Sequence, residues 1–532
     1  MTVRHWLTLA AALAMAPAAV VAQDHEHPAG DADRLGRVTF AVSCATSVQP
    51  RFERAVAMLH SFWFDAAEEA FAEILAADPE CAMAHWGRAV TLMGNPMTRA
   101  SPPATALEAG LAAAERAREL AARVSHREQM YADAVVAYYR DHGTRPHGAR
   151  MQALEQAFAA LAQAHPEDME AAIFHGRTVV ANAPPDDATF ARQLAGAEIL
   201  QPLFDVHPRH PGLAHYLIHA YDVPQLAERG TAAAEAYAGI APDAPHALHM
   251  PSHIFTRLGH WDASIETNAR SAQAEPDPNA AVHPMDYMVY AYLQQGRDAA
   301  AHEVVQRAVQ NSDRYYGGLL GYNFTAMPAR YALERGAWAE AATLRMPVGA
   351  LPYVEAVTRF ARAVGAARSG QAGVAGAEVN GLGMLKAMLD EAGDSYWSTV
   401  VQAQRLAAWA WHARARGDDV EALRLAAEAA ALEETVEKHP VTPGPILPAR
   451  ELYADLLLEL GRADEALAAY EATLKREPGR ARTLHGAARA AEQAGRSDVA
   501  RAHYTALRDL MAKADPTRPE AVAARSFLAR SR

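Results

Sequence analysis

Two histidine pairs repeat one pattern at a fixed interval: His215 and His219, followed by Asp222, recur 34 residues later as His249 and His253. Residues four apart share one face of a helix, so each pair can offer two imidazoles to one ion. His246, His283 and Asp286 fall in the same stretch. Neutral imidazole is the commonest metal ligand and suits zinc, copper and iron; two histidines with a carboxylate also suit Fe(II). The candidate metal ligands are therefore His215, His219, Asp222, His246, His249, His253, His283 and Asp286, and the candidate ions are Zn, Cu or Fe. An even spread of the chain's 24 histidines would put about three in the window 215–286, which holds seven. No His-Glu-x-x-His motif is present, which argues against a standard zinc protease. The lack of nearby cysteines disfavours a closed structural zinc site. Met250 reads either as a soft donor for copper or as packing.

Alanine-rich helical segments without alternating β-branched runs must position these side chains, and a repeat organises them. Gly461, Ala466 and Tyr470 recur as Gly495, Ala500 and Tyr504, again 34 residues on. Leu460-Gly461-Arg462, Ala466, Tyr470 and Pro478 place a turn, a close-packing alanine, an aromatic and a terminating proline in order. Phe64, Ala67, Phe71 and Pro79 repeat that order, as do Gly259, Trp261, Ser264 and Pro276. Looser copies centre on Gly296 with Ala301, and on Gly336 with Trp338 and Ala341. On these residues the chain resembles the tetratricopeptide repeat (TPR) superfamily.

The resemblance implies an all-α fold, a TPR-like α-solenoid of helix pairs wound as a right-handed superhelix. It also implies that the second, fifth and ninth positions of each first helix line a concave groove that holds ligands. Phased on Gly259, the histidines 246, 249 and 253 occupy those three positions; His215 and His219 take the fifth and ninth of the preceding unit. His283 takes the second position of the next unit and Asp286 the fifth. Pro251 falls inside or at the start of its helix, so the backbone bends beside the histidines.

Residues 1–22 have the form of a secretory leader: Arg4, an apolar run from Leu7 to Val21, and small residues before Gln23. The expected organisation is a signal peptide (1–22), an N-terminal TPR-like region (23–200), a central His-rich region (201–345) and a C-terminal TPR region (346–532). No later segment has about 18 uninterrupted apolar residues, so stable membrane insertion is not expected. The expected location is periplasmic or secreted. The formal net charge of −13 disfavours nucleic acid as a partner. In an oxidising compartment Cys44 and Cys81 read as a structural disulfide, with two buried thiols as the alternative. If Gln23 is the first residue, His25 stands third and can bind Cu(II) or Ni(II).

Three functional readings follow: an exported TPR binding or scaffold protein whose central groove holds a transition metal or metal-dependent ligand; a metal-dependent hydrolase or oxidoreductase; and a metal-free adaptor for a peptide or protein. An enzyme needs an enclosed pocket and an adaptor a long open groove. The leader assignment predicts that intact-mass spectrometry of the exported protein finds a chain starting at or near Gln23. Recovery of Met1 would contradict it.

Overall fold

The computed structural model describes residues 34–310 and 316–530. The expected leader, the start at Gln23 and His25 lie outside these residues. Among the described residues there are twenty-six α-helices, a few short 3-10 turns and no strand. The repeat signature explains the packing. Ala466 and Ala500 are fully buried where helices approach closely, and Tyr470 and Tyr504 fill the space between them. The turn residues Gly259, Gly296, Gly336, Gly461 and Gly495 all adopt positive φ, between 65° and 76°, where a Cβ is disfavoured. One apolar core runs from Leu35 to Phe255, and further cores follow along the chain. No helix among the described residues is long and apolar enough to cross a membrane.

Cys44 and Cys81 form a disulfide with Cα atoms 4.8 Å apart. It joins the extended N-terminal segment to the start of the Ala82–Leu92 helix.

The coil is tight enough for distant repeats to touch. The indole of Trp261 donates to the carbonyl of Gly479 at 3.0 Å, and the Gln294 side chain accepts from the Ala481 amide at 3.1 Å. Arg480 donates to Tyr290 Oη at 2.9 Å. A second long-range element is the irregular segment 434–448, between the helices Asp419–Glu433 and Ala449–Glu459. It lies along the first helices of the central repeats. Lys438 Nζ bonds Asp222 at 2.8 Å, the Val441 carbonyl accepts from Asn323 at 2.8 Å, and Arg330 binds the carbonyls of Gly444 and Pro445, each at 2.7 Å. His439 Nε2 reaches the Thr98 carbonyl at 3.1 Å, and the Glu437 amide that of Pro185 at 3.0 Å. This strap therefore lies in the groove of its own chain.

The inter-repeat contact at Gly259 is open to test. Gly495→Ala meets open space and should cost only the left-handed backbone penalty, about 1–2 kcal/mol. Gly259→Ala should cost clearly more, because its Cβ would stand 2.9 Å from the Pro478 carbonyl oxygen. Denaturant midpoints of the two variants compare them, and equal losses would contradict a firm contact between these repeats.

Candidate metal centre

Three consecutive repeats deliver the histidines, the middle one from two short helices. Pro211–Tyr221 carries His215 and His219, Pro245–His249 with Pro251–Leu258 carries the next three, and Val282–Gln294 carries His283. Pro251 lacks the N–H that would continue the ladder, so Met250 joins the two short helices in helical geometry, φ −53° and ψ −37°. The His253 amide then turns back to Met250 O at 3.1 Å. This keeps His249 and His253 on one face across the break.

The six imidazoles converge as two groups of three. His215, His219 and His246 form one, and His249, His253 and His283 the other; within each, one ligating atom per residue lies within 4.8 Å of the others. The groups adjoin, with ring centroids 5.8 Å apart for His219 and His253 and 5.9 Å for His246 and His249. A cavity of about 230 Å³ opens on five of the six rings, His215 excepted, with Phe62 and Val441 among its other walls.

Hydrogen bonds behind the rings decide which nitrogen faces inward. His215 Nδ1 meets the carbonyl of His60 at 2.6 Å, and His283 Nδ1 that of Val441 at 3.1 Å. His249 Nδ1 meets Asn268 Oδ1 at 2.6 Å; the Asn268 amide nitrogen donates to Ser264 O, which fixes the orientation of the side chain. His253 Nδ1 meets the Asp222 carboxylate at 2.8 Å. All four partners are acceptors, so these four Nδ1 atoms carry the proton and their Nε2 atoms present lone pairs. Yet His249 Nε2 and His253 Nε2 stand 3.0 Å apart. Two lone pairs at that distance repel unless a cation lies between them. Two nitrogens on one tetrahedral zinc, each about 2.0–2.1 Å from it, would be about 3.3 Å apart. In the other group His246 Nε2 stands 3.2 Å from His215 Nε2, and His219 Nε2 is buried without a partner.

The two expected carboxylates take other places. Asp222 caps the C-terminal end of its helix, with φ −74° and ψ 50°, which puts it behind His253 rather than beside its inner nitrogen. There it also accepts from Arg257 at 2.9 Å and from Lys438, so it orients the His253 ring from behind. Burial alone would raise its carboxyl, but Lys438 and Arg257 hold it well below the usual range. Asp286 is wholly buried against Arg330 and Asn323, each at 3.2 Å, outside both histidine groups. Met250 is buried as packing.

Several contributors had no signal in the sequence. Phe62, in the left-handed conformation at φ 52°, stacks on His246 at 5.4 Å and meets His215 edge-on at 4.3 Å. Below it, His60 and His210 both bond Glu170 at 2.9 Å. The carbonyls of His60 and Val441 are backbone groups that any residue could supply.

The tetratricopeptide repeat profile matches residues 64–96 and 453–519, so the chain carries tetratricopeptide repeats at both ends of the fold. Among solved structures, a human IFIT1 dimer with PPP-AAAA shares 11% identity, covering 85% of this chain and 88% of that one, at a TM-score of 0.40. The Cut9–Hcn1 assembly of the APC/C shares 14%, covering 77% and 76%, at 0.35. Naa15/Naa10 bound to HypK-THB shares 12%, covering 91% and 73%, at 0.25. No curated protein matches the chain.

Burial, reinforced by neighbouring imidazoles, pushes His215, His219, His246, His249 and His283 well below the ordinary imidazole range. Burial also lowers His253, against the pull of Asp222. Below the unfolded value of 6.5 the unfolded chain takes up protons that the folded chain refuses, so stability present above that pH is lost as pH falls. Each such group contributes about 1.4 kcal/mol per pH unit. The melting temperature of the apoprotein should therefore drop steeply between pH 6.5 and 5. A flat profile by calorimetry would mean that the rings are not buried neutral.

Proposed function

We propose that this is an exported tetratricopeptide-repeat protein whose central repeats bind a transition metal through His215, His219, His246, His249, His253 and His283. The observation that carries the reading is the pair of Nε2 lone pairs at 3.0 Å on His249 and His253, with both Nδ1 protons committed to acceptors behind them. Nitrogen-only donors favour zinc, copper or iron over magnesium or calcium. The outer bonds to Asn268, Asp222 and two backbone carbonyls match the outer shell that metal-bound histidines need. Export is supported by the leader-like residues 1–22 and by the disulfide between Cys44 and Cys81.

The enzyme reading is favoured over the metal-free adaptor by one observation. The strap 434–448 lies along the groove that a peptide would need, beside the cavity that the histidines line. The repeats' general role in protein interaction then belongs to other surfaces of the scaffold.

Protein purified without an affinity tag from an oxidising compartment should retain zinc, copper or iron through gel filtration, measured by elemental analysis. His215→Ala combined with His249→Ala, one from each group, should reduce retention to background with helix content by circular dichroism nearly unchanged. Wild-type protein that retains no metal, and takes up none after chelator treatment, would contradict the reading. Asn268→Ala should weaken binding by about 10–100-fold while every ligand remains. An unchanged affinity would mean that the His249 tautomer does not depend on Asn268.

A further inference from the structure

We propose, resting on the metal reading above, that the centre holds two ions whose open positions meet in one cavity, where they share a single small anionic ligand. Three observations carry this. The ligating atoms cluster in two groups of three, each within 4.8 Å, rather than in one group of six. Three imidazoles leave a four-coordinate ion one open position, the ligand count of a reactive rather than a structural site. The groups face each other across ring separations of 5.8 and 5.9 Å, and members of both line the same cavity of about 230 Å³.

Charge identifies the class of the shared ligand. Six neutral imidazoles bring no negative charge to two divalent ions. Asp222 is committed to His253, Arg257 and Lys438, and Asp286 to Arg330 and Asn323. Among the described residues lining the cavity the one carboxylate is Glu275, whose Oε1 accepts from the Asp277 amide. Leaving four positive charges in a buried site would be costly, so an anion from solution must offset part of them. The cavity and the two open positions suit a donor of the size of hydroxide or azide, bound to both ions at once.

The test uses the full mature protein, freed of metal by chelator and titrated with Co(II), whose visible absorption reports four-coordinate sites. Absorption should rise linearly to two equivalents and then stop. His215→Ala and His283→Ala, which each spare the opposite group, should each stop at one; that retained equivalent also shows that the variant is folded. Azide added to the two-cobalt protein should shift the spectrum with an endpoint of one azide per protein. A wild-type endpoint at one equivalent would overturn the two-ion proposal while leaving the metal reading intact, and no uptake would overturn both. Two azides per protein, or none, would overturn the shared ligand.

Discussion

The central repeats are organised by the commitment of four imidazole protons to acceptors behind the rings. His215, His249, His253 and His283 each give Nδ1–H away, to a carbonyl, an amide or a carboxylate. Each is then fixed in one tautomer with Nε2 directed inward. The surrounding structure is built to supply those acceptors. The end of the Gln49–His60 helix brings up the His60 carbonyl, the Trp261–Ala274 helix brings Asn268, and the strap, 158 residues on from His283, brings the Val441 carbonyl. An ordinary buried histidine network would alternate donors and acceptors so that each lone pair met a proton. Here lone pair meets lone pair.

The strap changes the meaning of the solenoid around this centre. Tetratricopeptide repeats usually leave a concave surface for partners. In this chain Lys438, Val441 and Thr442 occupy the first-helix faces of consecutive repeats, and Tyr287 Oη anchors the strap through the Thr442 carbonyl at 3.1 Å. The Asp222, Arg257 and Lys438 network keeps a carboxylate ionised beside His253, and Glu437, 3.3 Å from Arg257, offsets the second cation. The strap thus forms part of the wall around the histidines, with Pro440 and Val441 lining their cavity.

The sequence made much of this legible, and the gaps have physical causes. The 34-residue interval placed the histidines on one face because equivalent first-helix positions adjoin in a stacked repeat, and the turn glycines marked where each first helix ends. Asp222 was legible as a neighbour but not in its role. It lies just past the last helical residue, where the chain leaves helical geometry, so periodicity cannot say which way its carboxylate points. Asp286 sits on the expected face, yet Arg330 two helices later claims it, a pairing 44 residues apart that spacing does not encode. Asn268 belongs to a second helix whose polar residues ordinarily face solvent. The segment from His439 to Pro448 showed only as a break between helices, since its contribution is made by backbone carbonyls.

The central claim is that the inward lone pairs hold metal. Anomalous X-ray diffraction from crystals of protein purified without added metal, collected on both sides of the zinc, copper and iron edges, tests it most directly. Anomalous density should lie about 2.0–2.1 Å from the Nε2 atoms of His249 and His253. Imidazoles with no such density and Nε2 atoms rotated to meet protein donors or water would contradict it.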